Sequence, residues 1–507
     1  MANVLLRVSA LLAAAFALTF LYMRLPESGT RDESVACERC NVVLISFDTV
    51  RADHLGAYGY GRPTSPNVDA LAAKSLVFDR AISQAPWTLP AHGSMLSGLY
   101  PSRLGVLRYP ATRTLPDKNT VLPEVFRAAG YATAGFTGGG FVSDHYGFDR
   151  GFDVYENLGR RFEHNLDATI EWVDKHKREP FFLFVHGYDA HRPYYSKDLD
   201  KKALGLPAGV AADQSHFCLG EDRAEPDAAG LEKIVRYYDA SIHHGDRAIG
   251  VLLKALEQLH LMDNTVILLT SDHGEEFFEH GNCDHVRFLY EETVHVPYVL
   301  YVPRLVPDAR RIGGLVPASI SVARTLLDAV GIEHDMPGVT LLPVLRGEQK
   351  DFPIVYSEGD SVAGSLRSRG RTNAMTKGDL KLITYPEEGT EEAYDLGQDP
   401  GELHRLPEGD VAYLMRKALG AWAAALLPAL PRPEPRGEMR DDDDAAGTGG
   451  EEKVAGAEGA PEPGSGAGSG SRSGSGTGSG AKDDARDGGT KVPKEVEEDL
   501  KSLGYLE

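Results

Sequence analysis

The stretch Asn41-Val-Val-Leu-Ile-Ser-Phe-Asp48 is an unbroken apolar run that ends in an acid. Two later runs share this apolar character, Pro180-Phe-Phe-Leu-Phe-Val185 and Thr265-Val-Ile-Leu-Leu-Thr270. Strands in a parallel sheet have this composition because helices cover both faces of such a sheet. We therefore predict that the three segments are buried strands of one mainly parallel sheet.

Helical patterns alternate with these runs along the chain. We predict helices at residues 66–78, 119–130, 162–176, 231–259 and 318–330, and further strands at 131–136 and 296–302. Alternation of strand and helix over this length is typical of an α/β fold. The expected architecture is a doubly wound sandwich with a mainly parallel central sheet, formed by one large domain of residues 41–347.

The C-terminal part has a different composition. Short strands at 353–358, 373–376, 380–384 and 393–396 and a helix at 411–427 predict a small antiparallel subdomain of residues 352–430. Residues 431–491 are rich in Gly, Ser and acids, which predicts a disordered linker. Residues 492–507 are amphipathic again, and we expect them to dock back on the fold.

The N-terminus carries a membrane signal. Arg7 and Arg24 flank an uncharged segment, residues 8–23. A helix of that length spans about 24 Å, slightly less than a ~30 Å hydrocarbon core. Residues 1–30 therefore fit a cleaved signal peptide or a membrane anchor, and the absence of a small-x-small cleavage site close behind favours the anchor. We expect an extracytoplasmic protein, periplasmic or extracellular, that is membrane-associated through this segment.

Charge and cysteines narrow the function classes. The net charge of −22 argues against a nucleic-acid binder, because a phosphate backbone requires a basic surface. A small anionic substrate is still compatible, since it needs only a local positive site. Cys37 and Cys40 form an isolated CxxC, for which a local disulfide or two idle thiols are expected, and Cys218 and Cys283 are a second candidate pair. Nothing in the sequence sets the oligomeric state.

Polar residues follow the ends of the three apolar strands. They are Asp48, His191 and the pair Asp272-His273. Carboxyl ends of neighbouring strands in an open α/β sheet meet at the edge where ligands bind. Two aspartates, a histidine and a nearby hydroxyl form a plausible set of ligands for a divalent metal.

The hydroxyl comes from Pro86-Trp-Thr-Leu-Pro-Ala-His-Gly-Ser-Met-Leu-Ser-Gly98. Here Thr88 stands at a predicted N-cap, Pro90 lies in the first turn, and Gly98 ends the helix. A hydroxyl at this position faces free backbone N–H groups and the positive end of the helix dipole, which suits a bound oxyanion. Capping alone would also explain Thr88.

In combination these motifs resemble the sulfatase family of the alkaline-phosphatase superfamily over residues 41–400 and the last dozen residues. Residues 41–48 look like the family's first strand, and Thr88-Leu-Pro-Ala-His92 with Ser97-Gly98-Leu-Tyr-Pro101 is similar to its Cys-x-Pro-Ser-Arg signature and the Thr-Gly-x-Tyr-Pro that follows. Further similar segments are Ser271-Asp-His-Gly274, Leu289-Tyr-Glu-Glu292, Tyr394-Asp-Leu396 and Leu500-Lys-Ser-Leu-Gly-Tyr505.

The resemblance implies a role for each matched residue. The metal ligands are then Asp48, Thr88, Asp272 and His273, with Thr88 also the nucleophile. It implies that His191 and His285 bind the transferred oxyanion and help the leaving group, and that His92 supports Thr88 or the metal. Functional and structural roles stay open for Glu275 and His280, and structural roles are expected for Asp53 and His54.

Departures from the family pattern shift the expected chemistry. Family sulfatases convert a Cys to formylglycine, and a threonine at position 88 cannot take that route. Asp48-Thr49 stands where many members have two aspartates, and His273 and His92 replace a common Asn and Arg. The usual Lys and His after the third strand are not evident at residues 138–144. These changes resemble superfamily phosphotransferases and phosphodiesterases with a Thr nucleophile.

The expected function is therefore a metal-dependent hydrolase of sulfate or phosphate esters, with phosphate favoured and a small or glycan- or lipid-linked anionic ester as substrate. A histidine ligand favours Mn or Zn over Ca or Mg for the single metal ion. Two alternatives stay open, a phosphoryl-group transferase of the same superfamily and a catalytically inactive sulfatase-like binding protein.

Overall fold

The computed structural model describes residues 36–109, 113–208, 226–305, 308–361 and 369–407, with Met415 and Leu419. All of them belong to one compact unit. The predicted segments 1–30, 431–491 and 492–507 and nearly all of the predicted helix 411–427 lie outside the described residues. Within the described part, no helix is both long and apolar enough to cross a membrane.

The strands are numbered in chain order. They are β1 Asn41–Phe47, β2 Leu76–Ile82, β3 Arg108–Tyr109, β4 Ala132–Phe136, β5 Val154–Glu156, β6 Phe181–Gly187, β7 Thr265–Thr270, β8 Glu276–Phe277, β9 Cys283–Asp284, β10 His295–Val296, β11 Tyr298–Tyr301, β12 Arg310–Pro317, β13 Val355–Ser361, β14 Arg371–Lys377, β15 Leu380–Tyr385 and β16 Thr390–Asp395. The α-helices are Pro66–Ala72, Thr88–Ser97, Pro101–Leu104, Leu122–Ala128, Phe162–His176, Asp198–Ala203, Ala228–Gln258, Glu291–Val294, Val322–Ala329 and Leu342–Leu345.

The large sheet has the order β10-β2-β11-β7-β1-β6-β4-β5, with β12 beside β2. β1 lies between β6 and β7 and is parallel to both, with Val42 opposite Phe182 on one side and Val266 on the other. The prediction that the three apolar runs form the centre of a mainly parallel sheet is confirmed.

Both faces of this sheet are buried. Val42 and Leu44 of β1 belong to the apolar core on one face, and Val43 and Ile45 belong to the core on the other. This division follows from the alternation of side chains along a strand. Helices cover each core, as a doubly wound sandwich requires.

The smaller sheet has the order β16-β15-β14-β13-β3. Its four C-terminal strands pair antiparallel, as predicted. Its fifth strand, β3, comes from the N-terminal half of the chain and runs parallel to β13. The domain boundaries proposed from composition stay predictions.

Three element predictions are wrong in detail. The predicted helix 66–78 ends at Ala72, and the chain then forms β2. Asp79 and Arg80 interrupt the apolar pattern of β2, and Arg80 is held by an ion pair of 2.8 Å to Asp379. β12 was not foreseen, because its first residues are charged and exposed. The predicted strand 296–302 is interrupted between β10 and β11, and β11 runs antiparallel to β7.

The Cys37–Cys40 disulfide is present. Both cysteines are buried, and the Cys37 N–H donates to the Ala329 carbonyl at 2.8 Å, which ties this loop to the end of a core helix. In the second candidate pair Cys283 is disulfide-bonded, whereas Cys218 lies outside the described residues.

Candidate active site

The candidate site lies at the carboxyl ends of the central strands. Asp48 follows β1 directly, and Asp272 and His273 follow β7, its neighbour in the sheet. Thr88, Asp48, Asp272 and His273 are fully buried. The parallel register of β1 and β7 therefore brings together the residues that the strand-end argument selected.

The turn after Asp48 joins the two aspartates. Thr49 has a φ of 59°, an unusual value for a β-branched residue. Its N–H donates to Asp272 Oδ1 at 3.3 Å, and Tyr238 holds its carbonyl with a hydroxyl 2.8 Å away. The strained turn thus fixes the two carboxylates relative to each other.

One oxygen of each carboxylate, Asp48 Oδ1 and Asp272 Oδ2, receives no hydrogen bond from the described residues. Both oxygens are inaccessible to solvent. Burial, and then the charge of Asp272, raises the pKa of Asp48 well above its usual range. Burial acts the same way on Asp272, but the charges of His273 and His92 outweigh it and hold the pKa of Asp272 well below its usual value. The pKa values of these two buried acids are therefore shifted in opposite directions, which is typical of carboxylates at functional sites.

Thr88 is the first residue of the helix Thr88–Ser97, and Trp87 takes the N-cap position. The capping prediction for Thr88 is therefore wrong by one residue, because the extended Trp87, whose indole N–H donates to the Leu107 carbonyl at 3.2 Å, already ends the preceding segment. The Thr88 hydroxyl lies 3.4 Å from His273 Nε2. Gly98 ends the helix in the left-handed region with a φ of 71°, as predicted.

Main-chain carbonyls determine which nitrogen of each histidine carries the proton. His273 Nδ1 donates to the Gly274 carbonyl at 2.9 Å, so its Nε2, beside Thr88, is an acceptor in the neutral ring. His92 Nδ1 donates to the Thr88 carbonyl at 2.9 Å, and its Nε2 accepts from the Ser46 hydroxyl at 2.8 Å. His92 thus contacts the backbone of Thr88 and supports the start of its helix.

His186 was not among the predicted site residues. Its Nδ1 accepts the Gly138 N–H at 3.3 Å, and its Nε2 donates to Asp48 Oδ2 at 3.2 Å. Burial, and then the charge of His92, holds the pKa of His186 well below its usual value, so the ring is neutral. One signal was available, since His186 directly follows the predicted strand 180–185, which ends beside Asp48.

His191 and His285 lie on the other side of His273. The rings of His273 and His285 are 4.3 Å apart, and those of His191 and His285 are 5.1 Å apart. His191 Nδ1 donates to the Arg192 carbonyl at 2.5 Å. Burial, and then the charge of His285, holds the pKa of His191 well below its usual value.

The pKa of His285 is shifted in the opposite direction to that of His191. His285 Nδ1 lies 2.8 Å from Asp284 and 3.2 Å from Glu275, and these carboxylates outweigh burial and raise the pKa of His285 to about 10. Asp284 and Val286 on either side have positive φ values of 80° and 88°. Backbone strain on both sides of one buried ring is a mark of a functional position. Glu275, left open by the sequence, thus belongs to this cluster, and Asp284 was missed.

The remaining candidates lie elsewhere. His54 Nδ1 is 2.8 Å from Asp239, and Asp53 pairs with Arg51 at 2.8 Å, as expected for structural residues. His280 donates to Glu292 at 2.6 Å in a separate cluster.

The central residues fit a divalent cation. Carboxylate oxygens of Asp48 and Asp272 and a ring nitrogen of His273 lie within 4.8 Å of one another. Two of the carboxylate oxygens receive no hydrogen bond from the described residues, and His273, whose Nδ1 faces the Gly274 carbonyl, directs its Nε2 to within 3.2 Å of Asp272 Oδ2. A cation would relieve the repulsion between the aspartates and satisfy these atoms at once.

A doubly wound sheet that delivers acids, histidines and a helix-terminal hydroxyl to one edge defines an ester hydrolase of the alkaline-phosphatase superfamily. The sulfatase family model matches residues 40–332, more than half of the chain, and the chain belongs to the sulfatase family. The model of the N-sulphoglucosamine sulphohydrolase C-terminal region matches residues 278–420.

Two curated relatives illustrate the similarity. A Delta 4,5-hexuronate-2-O-sulfatase of Bacteroides thetaiotaomicron is 25% identical over 417 residues, covering 73% of this chain and 85% of the relative. The human N-acetylgalactosamine-6-sulfatase is 25% identical over 381 residues, covering 66% and 72%.

Solved structures share the fold. BT4656, solved in complex with its substrate D-glucosamine-2-N,6-O-disulfate, superposes with a TM-score of 0.67 at 20% identity, covering 78% of this chain and all of that one. The phosphonate monoester hydrolase of Agrobacterium radiobacter gives a TM-score of 0.61 at 20% identity, covering 76% and 95%.

Proposed function

We propose that this protein hydrolyses phosphate mono- or diesters in preference to sulfate esters, with Thr88 as the nucleophile. One observation carries the proposal. The Thr88 hydroxyl stands at a helix N-terminus, 3.4 Å from Nε2 of His273 and beside two buried carboxylates. The resemblance of residues 88–92 to the sulfatase signature supports the assignment of Thr88 to the position of the nucleophile.

The threonine side chain favours phosphate as the transferred group. A formylglycine hydrate has two hydroxyls on one carbon and releases sulfate by elimination, whereas Thr88 has a single hydroxyl. When the Thr88 oxygen attacks phosphorus, the P–O bond to the leaving alcohol breaks and phosphothreonine forms. A water molecule or a second alcohol then attacks the same phosphorus and regenerates Thr88. Water gives a hydrolase, and an alcohol gives the transferase alternative.

We propose that Asp48, Asp272, His273 and Thr88 hold one divalent metal, with Mn or Zn preferred because of the histidine nitrogen. Such a metal, when bound, lowers the pKa of a coordinated hydroxyl and neutralises charge on a phosphoryl group. His186 donates to Asp48 Oδ2 and so orients this carboxylate. The Gly274 carbonyl accepts from His273 Nδ1, which leaves Nε2 as the nitrogen that would bind the metal.

The two outer histidines have different roles in this proposal. His285 is held protonated by Glu275 and Asp284 and supplies a fixed positive charge for the oxygens of the transferred group. His191 is neutral, with its proton on Nδ1 donated to the Arg192 carbonyl, so its Nε2 can only accept a hydrogen bond, from the hydroxyl of the protonated leaving alcohol or of the attacking water.

The organic part of the substrate is a proposal from relatives. The two curated relatives described above are named for sulfated sugars, which supports a glycan-linked ester among the small, glycan- or lipid-linked candidates. We also propose that the protein acts outside the cytoplasm and is held at a membrane by residues 1–30, because of the uncharged segment 8–23.

A panel of matched substrates tests the proposal. The full-length protein, supplied with Mn²⁺ or Zn²⁺, is assayed with an aryl phosphate, an aryl phosphodiester, an aryl phosphonate and an aryl sulfate that share one leaving group. We expect kcat/KM to be higher for a phosphate ester than for the sulfate, and radiolabelled phosphate to remain on the denatured protein at Thr88.

Two outcomes contradict the proposal. Faster hydrolysis of the sulfate than of every phosphorus ester removes the phosphate preference. Wild-type protein that binds no stoichiometric metal and turns over no substrate supports the second alternative, an inactive binding protein.

A further inference from the structure

The guanidinium of Arg160 lies beside residues of the candidate site, although Arg160 does not follow any of the three central strands. Arg160 lies between β5 and the helix Phe162–His176. Its carbonyl accepts the Tyr188 N–H at 2.8 Å, which ties the loop to the chain just after β6. The guanidinium of Arg160 lies 5.9 Å from the centre of the Tyr188 ring.

Tyr188 connects this cation to the site. Its buried ring packs edge-on against His186, with centroids 4.5 Å apart, and against His191, with centroids 5.5 Å apart. His186 in turn donates to Asp48. The Arg160 guanidinium therefore lies along the wall formed by the residues that hold Asp48 and by a histidine proposed to contact substrate.

The Arg160 side chain is half-buried, so water screens its charge less than it would screen an arginine extended into solvent. In keeping with its place beside Tyr188, the Arg160 charge acts with burial and with the charge of His285 to lower the pKa of His191.

The neighbouring arginine points elsewhere. The guanidinium of Arg161 lies 3.7 Å from the centre of the Tyr195 ring, and its Nε is 3.6 Å from Glu163. The two arginines have the same chemistry and adjacent positions, but the Arg161 guanidinium is held by Tyr195 and Glu163. This difference provides a matched control.

We propose that Arg160 is a substrate-binding residue whose guanidinium binds the non-bridging oxygens of the transferred group. The planar fork of a guanidinium matches two oxygens of a tetrahedral oxyanion and keeps its charge at all working pH values. Arg160 thereby supplies an attraction for the anion on the Tyr188 side of a site that already holds two carboxylates. The inference rests on the proposed function only in that the substrate is an anionic ester.

Direct binding of an inorganic oxyanion tests this assignment without turnover. The full-length protein with Mn²⁺ bound is titrated calorimetrically with inorganic phosphate and, separately, with sulfate. We expect Arg160→Gln to raise the Kd for the anion that binds the wild type by at least about tenfold, the loss of one charge-assisted bidentate contact. Arg160→Lys recovers part of the affinity, and Arg161→Gln leaves the Kd unchanged.

Kinetics with aryl esters that carry no second charged group complete the test. Arg160→Gln is expected to raise KM more than it lowers kcat, because the anion is held both in the ground state and in the transition state. An unchanged Kd in Arg160→Gln, an equal loss in Arg161→Gln, or an effect confined to substrates with a second anionic group overturns the assignment. None of these results would contradict the role of Thr88. That role is tested separately, by the rates of the Thr88 variants.

Discussion

Glu392 in the smaller sheet and Asp48 in the large one are both buried carboxylates, but their surroundings are opposite. Glu392 Oε2 accepts from the hydroxyls of Tyr290 at 2.6 Å and Tyr394 at 3.0 Å. Its Oε1 accepts from Arg369 at 2.8 Å and Arg405 at 2.6 Å. These donors outweigh burial and lower the pKa of Glu392. Its charge is fully compensated by the protein.

Asp48 has one hydrogen bond from His186, and its other oxygen has none from the described residues. Asp272 close by adds repulsion, and burial raises the pKa of Asp48. A buried charge without partners destabilises a fold, and a bound cation at this position would relieve that destabilisation. The contrast separates a carboxylate that serves stability from one that serves binding.

Loss of the nucleophile should have the largest effect. Thr88→Ala is expected to lower kcat at least about 10³-fold on the best substrate, because the proposed covalent step needs this oxygen. Thr88→Ser keeps the hydroxyl and should retain part of the rate. Steady-state assays on metal-saturated protein measure both.

Ser94→Ala is the control for the Thr88 variants. Ser94 lies in the same helix, and its buried hydroxyl has no hydrogen-bond partner among the described residues, so its removal should leave kcat near the wild-type value. Equal rates for Thr88→Ala and the wild type would remove Thr88 from the chemistry.

Removal of one aspartate should abolish metal binding. Asp272→Ala is expected to lose stoichiometric Mn²⁺ or Zn²⁺ and activity together, since Asp272 supplies one of two carboxylates in the ligand set. Metal content measured by elemental analysis after dialysis checks this. The matched change Glu392→Gln should leave metal content unchanged, and a metal-free wild type with full activity would rule the site out.

The two carboxylates should respond in opposite directions to neutralisation. Glu392→Gln is expected to lower the free energy of unfolding by about 3 kcal/mol, because two arginines lose a buried counter-charge. Asp48→Asn in chelator-treated protein should raise it by about 1 kcal/mol, because the substitution removes repulsion with Asp272.

Denaturant titration of the two variants beside the wild type measures both changes. Added metal should raise the melting temperature of the wild type and not that of Asp48→Asn. Two changes of the same sign in the metal-free protein would contradict the distinction between a compensated and an uncompensated carboxylate.

A smaller effect is expected from His280, near Glu392. Its Nδ1 donates to Glu292 at 2.6 Å and its Nε2 to the Glu402 carbonyl at 3.1 Å, and these partners outweigh burial and raise the pKa of His280 to about 9. Because the folded pKa lies above the unfolded value of about 6.5, the stabilisation is complete below pH 6.5 and is lost as pH rises through 9.

Unfolding free energies at pH 6 and pH 9.5 test this dependence. The wild type should lose about 1–2 kcal/mol more than His280→Gln over that interval. An identical pH dependence in both proteins would show that His280 is not protonated at neutral pH.

The sequence predicted much of the frame of the site. The acids after β1 and β7 and the histidine next to Asp272 could be identified because apolar strands have a clear composition and because neighbouring strand ends share an edge. The orientation of His285 between Asp284 and Glu275 could not be foreseen, since it depends on two strained backbone positions in an irregular loop.

The sequence by itself determined the main sheet, the order in which it delivers Asp48, Thr88, Asp272 and His273, and the absence of a formylglycine precursor at position 88. These follow from local composition and from identity at single positions. Only the tertiary structure decided that His186 donates to Asp48 and that Arg160 packs on Tyr188 whereas Arg161 packs on Tyr195. It also decided that two carboxylate oxygens of the site receive no hydrogen bond from the described residues. The physical reason is that hydrogen bonding and desolvation depend on distances of a few ångströms between residues far apart in the chain, which no local pattern encodes.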